Sequence, residues 1–402
     1  MVISPAVAQW LGGIAARTQN RTMTIRARIL LAWLATGLCC VQAGAAEWTP
    51  VVSPQGQVFP SLVLATANLP APIKPRARLL GDPNGLIGAR VVAEHDGQRA
   101  RLTVRMSGWL RPSTLDVVLP AANTRYALYP TLEWEFAQLR SAQQPMPETM
   151  SFELQLDDAP AQRKVERVRL HSVNEAPYFV VGERSSTDLA WMFAAYVDED
   201  HPLVRKILSE ALKTKVVKRF DGYQSRDPRQ VMNQVYALWR ALQDRGIRYS
   251  SITRTGNGKS GVLSQHVRFI DDSFGNAEAN CVDGSVLFAS LLRKIDLNPA
   301  LVMVPGHMFL AFELTPGGER SYLETTLIDD VLPSAGDEGD DASFASFVRA
   351  SERGHAQYQK ARVRFGDRRQ PEYQIIDIGA ARDIGVVPIG ARRKTGSESI
   401  SP

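Results

Sequence analysis

The chain has 402 residues, enough for two or three domains that each bury a core. Its composition, 44% hydrophobic and 22% charged residues, is that of an ordinary soluble globular protein. Residues 1–45 hold four arginines and no acid, so the formal charge falls from +5 to about +1 (5 − 4) without them, and the charge gives no case for nucleic-acid binding.

The first section of the chain has the pattern of a secretory signal peptide, predicted over residues 1–46. Arg26 and Arg28 precede a short apolar run that ends in the small residues Ala43-Gly44-Ala45-Ala46. The run is too short and wrongly flanked for a stable membrane span. We therefore expect an exported protein, periplasmic or in the cell envelope, without an integral span after cleavage. Met23 is an alternative start, and an uncleaved anchor is the alternative reading.

Cysteine usage points to one residue. Cys39 and Cys40 lie in the predicted signal, which leaves Cys281 alone in the mature chain. A single thiol cannot form an intramolecular disulfide, and it excludes metal sites of the CxxC kind. A lone thiol in an oxidising compartment therefore calls for a functional explanation, the alternative being a small buried core residue.

Residues 47–180 follow the pattern of short strands, which predicts an antiparallel β-sandwich. Turn signals such as Asp82-Pro83-Asn84-Gly85 separate the strand-like segments. These segments are 62–65, 101–106, 126–136, 151–156 and 165–173. His95 and His171 occur singly in this part and are interpreted as surface or packing residues.

Helical periodicity begins after about residue 185. One helix is predicted to start with Asp200 as its cap and Pro202 in its first turn, and a second to start at Asp227-Pro228 and end before Gly246. Residues 248–270 are polar and predicted to form a long loop. A third helix is predicted to begin at Cys281. The strands predicted after it are 300–304, 307–312 and 321–326.

The C-terminal part is predicted to contain an acidic linker, an amphipathic helix and a last strand. These occupy residues 337–341, 343–360 and 374–378. We accordingly divide the mature chain into a β-sandwich (47–180), an α+β thiol-enzyme domain (185–335), a C-terminal extension that wraps or closes that domain (342–391) and a disordered tail (392–402).

Three residues could together perform thiol chemistry. A helix N-terminus favours the thiolate form of a cysteine, and Cys281 stands where a loop gives way to a helix. A thiolate needs a base, and His307 begins the second strand after that helix. Glu324 lies on the following strand, across the turn Pro316-Gly317-Gly318, where it could orient the imidazole. The alternative for His307 is a histidine packed in the core, and the alternative for Glu324 is an exposed acid without a role in the site.

These segments resemble a known family. Asn280-Cys281-Val282-Asp283-Gly284-Ser285, Pro305-Gly306-His307 and Tyr322-Leu323-Glu324-Thr325-Thr326 are similar to the transglutaminase-like core of the papain-like thiol enzymes. The resemblance covers roughly residues 190–330. It implies a papain-like fold with Cys281 as nucleophile, His307 as base and Glu324 as orienting acid. The family's third residue is usually Asp, so Asp329 and Asp330 are alternatives to Glu324.

Two further residues near the nucleophile have predicted roles. Gln265 is a candidate oxyanion-hole donor, since papain-like enzymes use a glutamine amide for this purpose. The alternative is a glutamine in a loop whose side chain is hydrogen-bonded to the backbone. Asp283 is interpreted as part of the helix cap rather than of the site. His266 is a second, weaker base candidate. The histidines have no partners at metal spacing, so we expect neither a metal nor another cofactor.

The predicted function is hydrolysis of a peptide or side-chain amide bond through an acyl-thioester, with an envelope protein or peptide as substrate. One alternative is a transamidase that crosslinks envelope proteins. The other is a non-catalytic envelope binding module with a papain-like fold.

Overall fold

The strands of the chain form several separate sheets, and helices connect some of them. The structure is a computed structural model that describes residues 47–71, 76–182, 186–250, 255–256, 261–275, 278–330, 338–367 and 369–390. The predicted signal peptide (1–46) and the whole of the predicted tail (392–402) lie outside these ranges. The fold is mixed α/β with several sheets, which agrees with the predicted α+β class. No helix among the described residues combines the length and the apolar character needed to cross a membrane.

The described residues of the N-terminal part contain nine strands. They are β1 (Trp48–Val52), β2 (Gln57–Val58), β3 (Leu79–Gly81), β4 (Ile87–Val92), β5 (Gln98–Met106), β6 (Leu110–Leu119), β7 (Arg125–Tyr129), β8 (Met146–Leu156) and β9 (Gln162–Leu170). They form a five-stranded and a four-stranded sheet, in the orders β2-β9-β8-β5-β6 and β1-β4-β7-β3. Inward-facing side chains alternate with outward-facing ones along β5, as the sequence pattern predicts.

Two predicted strands in this part are wrong in whole or in part. The apolar run 62–65 lies in helix α1 (Pro60–Ala65), where Pro60 occupies the first turn. The segment 126–136 is extended only to Tyr129, and helix α2 (Phe136–Ser141) follows. A short apolar run fits a buried helix as well as a strand, so its periodicity does not separate the two.

The second half carries most of the helices. Its elements are β10 (Glu175–Val180), β11 (Thr187–Asp188), a 3₁₀-helix (Ala190–Tyr196), α3 (Pro202–Lys213), α4 (Pro228–Asp244), β12 (Arg248–Tyr249), β13 (Thr255–Gly256), β14 (Val262–His266), α5 (Ile270–Gly275), β15 (Glu278–Ala279), α6 (Cys281–Lys294), β16 (Pro299–Val304), β17 (His307–Glu313), β18 (Arg320–Leu323), a second 3₁₀-helix (Thr325–Leu327), α7 (Glu338–Ala361), β19 (Gln374–Asp377) and α8 (Ile378–Asp383). The helices predicted at Asp227 and at Cys281 are confirmed, and Asp227 caps α4 through the Arg229 N–H.

Three details of this half differ from the prediction. The cap of α3 is His201, whose Nδ1 accepts from the Leu203 N–H, rather than Asp200. The supposed loop 248–270 contains β14, which pairs with both β10 and β13. Part of the supposed linker 337–341 belongs to α7, because that helix already begins at Glu338. Polar side chains are compatible with strands or helices whose partners are distant in sequence.

An antiparallel sheet of order β18-β17-β16-β19 separates two hydrophobic cores. Alternate side chains of its strands, such as Leu301 and Leu310, belong to the main core, which also contains the buried face of α6. Those between them, such as Val302 and Phe309, form a second, smaller core with Tyr358. The sheet is thus buried on both faces, which explains the near-continuous apolar runs in the sequence.

The C-terminal segment is hydrogen-bonded to α1 and to the 3₁₀-helix Ala190–Tyr196. The N–H of Val387 donates to the Ala65 carbonyl at 3.2 Å, and the N–H of Ile389 donates to the Ala195 carbonyl at 2.9 Å. By their contacts, the described residues form one compact unit. The C-terminal extension is therefore joined by backbone hydrogen bonds to elements far from it in sequence.

Helix α7 lies against the backbone of β18 at Gly354. A Cβ added to Gly354 would come within 2.8 Å of both the Leu323 nitrogen and the Tyr322 carbonyl carbon, which is closer than real Cβ contacts. Next to this point the N–H of Glu324 donates to the Ala350 carbonyl at 3.0 Å. Only glycine permits this approach of helix to strand.

We predict that Gly354→Ala destabilises the protein by about 1–3 kcal/mol, because the added methyl must displace backbone. Helix propensity alone predicts the opposite sign, a gain of about 0.5–1 kcal/mol. The measurement is the free energy of unfolding in urea. Ala356→Gly, at an exposed position of the same helix, is the matched control and should cost only the propensity difference. A more stable Gly354→Ala protein would contradict the close packing.

Candidate active site

Cys281 is the first residue of α6, and a capping box fixes this helix end. Asn280 Oδ1 accepts from the N–H groups of Val282 and Asp283, both at 2.9 Å, and Asp283 Oδ2 accepts from the Asn280 N–H at 3.2 Å. The interpretation of Asp283 as a cap is thereby confirmed. None of these three bonds uses the Cys281 N–H, which lies at the positive end of the helix dipole.

Asp283 also links the helix start to the segment after β14. Its Oδ1 accepts from the Arg268 N–H at 2.8 Å, and the Arg268 guanidinium lies 3.6 Å from its other oxygen. Burial raises the pKa of Asp283, while these hydrogen bonds and the cation oppose that rise. The residue therefore holds two chain segments together next to Cys281.

His307 and Glu324 meet across the β17–β18 pair. Leu310 is paired with Leu323, which puts Glu324 one residue beyond the ladder and diagonal to His307. His307 Nε2 and Glu324 Oε2 are 2.7 Å apart. Glu324 is 2% exposed, so the alternative of a plain exposed acid is wrong.

The carboxylate of Glu324 has further donors on both oxygens. Thr326 donates to Oε1 through its N–H at 3.1 Å and through its hydroxyl at 2.6 Å. The side-chain amide of Gln357, on α7, donates to Oε2 at 2.7 Å. Burial of Glu324 alone would raise its pKa, but His307 and Thr326 outweigh it and hold the pKa of Glu324 below its usual range.

Cys281 lies close enough to His307 to affect its pKa. Burial lowers the pKa of His307, but its hydrogen bonds to Cys281 and Glu324 and the negative charge of both raise it by more, to about 9. Cys281 is 4% exposed and the His307 side chain 24% exposed. Such an arrangement can hold a thiolate beside an imidazolium, and the imidazolium can return its proton to a leaving group.

The other predicted residues lie as follows. Gln265 is on β14, paired with Ala176, and its amide nitrogen donates to the His266 carbonyl at 3.1 Å, so its role as oxyanion donor stays a prediction. Asp329 accepts from the Tyr249 N–H at 3.1 Å. Asp330 pairs with Arg349 on α7. Asp329 and Asp330, the two alternatives to Glu324, are therefore bonded to residues other than His307.

Two residues that the sequence did not indicate belong to this region. Tyr249 ends β12 and is paired with Ala279, two residues before Cys281. Burial and the negative charges of Cys281 and Glu324 raise the pKa of Tyr249, so its phenol stays protonated. Gln357 comes from α7, 33 residues beyond Glu324. No local pattern marks either residue, because each reaches the site only through tertiary contacts.

Comparison of the chain with protein-family models, with curated proteins and with solved structures finds no match in any of the three. The site is therefore interpreted from its own geometry.

We predict that His307 stabilises the fold below about pH 9 and loses that effect above it. Its folded-state pKa of about 9 exceeds the unfolded value, so the stabilisation is complete below roughly pH 6.5 and declines as the pH rises through 9. The measurement is the difference in free energy of unfolding between the wild-type protein and His307→Gln, from pH 6 to 10. If this difference in free energy of unfolding is the same at every pH, His307 is not held as an imidazolium in the folded protein.

Proposed function

We propose that the protein is a thiol hydrolase that cleaves peptide or side-chain amide bonds, with Cys281 as nucleophile, His307 as base and Glu324 as the acid that orients the base. The observation that carries the proposal is the 2.7 Å contact of His307 Nε2 with the buried Glu324 carboxylate, beside a Cys281 that is close enough to raise the pKa of His307. A merely structural cysteine has no need of a charged partner held in this way. The fold proposed with it is papain-like, preceded by a β-sandwich.

The proposed reaction proceeds in two balanced steps. The Cys281 sulfur bonds to the substrate carbonyl carbon, the carbon–nitrogen bond breaks, and the His307 imidazolium gives its proton to the departing amine. Water then bonds to the thioester carbon while the imidazole takes a proton from it, and the carbon–sulfur bond breaks. The helix start at Cys281, with its N–H outside the cap, is suited to stabilising the oxyanion of both steps.

Export of the chain would place this chemistry in the periplasm or cell envelope, with an envelope protein or peptide as substrate. The signal-like pattern of residues 1–46 supports that location, and the substrate class follows from the location alone. The binding module of the same fold is the weaker proposal, because the pair His307–Glu324 costs desolvation that a groove without catalysis does not require.

Glu324→Gln should lower the rate of cysteine-dependent cleavage by about 10²- to 10⁴-fold, because a neutral amide no longer stabilises the imidazolium or fixes its orientation. Asp330→Asn is the control. This residue forms a surface ion pair with Arg349, and its loss should change the rate by less than about twofold. The measurement is the cleavage rate of the substrate found in envelope extract. Equal rates for the two variants would exclude Glu324 as the orienting acid.

Hydrolysis should exceed transamidation. The segment after His307 is buried, and the connection from β17 to β18 is short, so neither provides an evident channel for an amine. A thioester without such a channel reacts with water. The expected result, in envelope extract with a labelled primary amine, is cleavage fragments without labelled products.

Cys281→Ala is the control for this experiment and should give no fragments. Cysteine-dependent incorporation of the amine would replace the hydrolase by a transamidase that crosslinks envelope proteins. Identical extracts from the wild-type and Cys281→Ala proteins would leave the binding module as the remaining proposal.

A further inference from the structure

We propose that Gln357 of α7 is a positioning residue of the site, so that the C-terminal extension completes the thiol centre. Its amide nitrogen donates to Glu324 Oε2, the same oxygen that His307 contacts, and both distances are 2.7 Å. The proposal rests on the thiol chemistry proposed above and adds a fourth side chain, one that no part of the sequence pattern indicates.

Three successive contacts hold Gln357 in place. Ala350, Gly354 and Gln357 are four and then three residues apart, so they lie along one face of α7. The first accepts the Glu324 N–H, and the second lies against the backbone of Leu323. One residue beyond Gln357, the Tyr358 ring stacks on Tyr322 with 4.1 Å between centroids. The amide is therefore carried by a helix whose position relative to Glu324 is fixed.

The cost of a glutamine at this position favours a functional explanation. Among the described residues, Gln357 Oε1 is buried and has no hydrogen-bond partner. A buried carbonyl without a donor is unfavourable, and an apolar side chain of similar length would avoid this. An apolar side chain could not form the hydrogen bond to Glu324, and this bond explains the glutamine. Functional sites are where residues that are unfavourable for packing are expected.

The amide acts on His307 through the carboxylate. A donor on Oε2 withdraws negative charge from the oxygen that faces the imidazolium, so it limits how strongly Glu324 holds the His307 proton. It also fixes the plane of the carboxylate together with Thr326, which donates to the other oxygen. Gln357 thus keeps the imidazolium acidic enough to protonate a leaving amine.

The test uses two variants of the full mature chain. In Gln357→Met, which loses the donor but keeps a similar length, the His307 pKa should rise by about half a unit or more. In Gln357→Leu, which also lacks the donor, it should rise by a similar amount. Gln359→Met is the matched control, since Gln359 is exposed two residues along the same helix, and it should leave the titration unchanged. The readout is the NMR titration of the His307 ring, assigned with His307→Gln.

The two readouts together separate positioning from simple packing. If Gln357 positions the acid, Gln357→Met should shift the His307 titration, whatever its midpoint of unfolding in urea. If its role is structural only, the midpoint should fall and the His307 titration should stay in place. An unchanged His307 pKa in both Gln357 variants would overturn the proposal.

The titration is measured on resting protein, so it does not depend on turnover. A shifted His307 pKa together with no cleavage of any substrate would reject the hydrolase and leave the positioning role. Where cleavage is found, Gln357→Met should lower kcat by about 10-fold, within the range for residues that orient a reacting side chain, and leave KM unchanged.

Discussion

The buried carboxylate of Glu324 is the constraint on which the rest of the site depends. An ionised group that is 2% exposed must have its oxygens satisfied, and here four hydrogen bonds do this. The donors come from three elements: the start of β17, the turn after β18 and the face of α7. The strand register, the glycine contact at Gly354 and the orientation of His307 are consequently parts of one arrangement.

The helix start at Cys281 is held in a similar way. Asn280 and Asp283 satisfy the first N–H groups of α6, and Asp283 also holds the Arg268 N–H. Cys281 and His307 are thus both held in place by buried polar groups that are themselves hydrogen-bonded. A site built on the ends of a helix and a strand is more precise than one built on loops.

The sequence predicted local features best where the physical signal is local. Asp227 before Pro228 identified a helix start, and the alternation along β5 identified a strand. Prediction failed where the same local sequence pattern is compatible with two kinds of secondary structure. The run 62–65 is as suitable for the buried helix α1 as for a strand, and the polar stretch containing β14 becomes a strand only because β10 and β13 lie beside it.

The sequence by itself indicated Cys281 and His307 and left three acids as candidates for the third residue. The order of helix, strand and strand, with Cys281, His307 and Glu324 at their ends, follows from hydrophobic periodicity and a glycine turn. Only the tertiary structure decided between Glu324 and the nearby Asp329 and Asp330, since strand register fixes which carboxylate meets the imidazole. It alone brought in Gln357, because docking of a distant helix leaves no periodic pattern in the sequence of either partner.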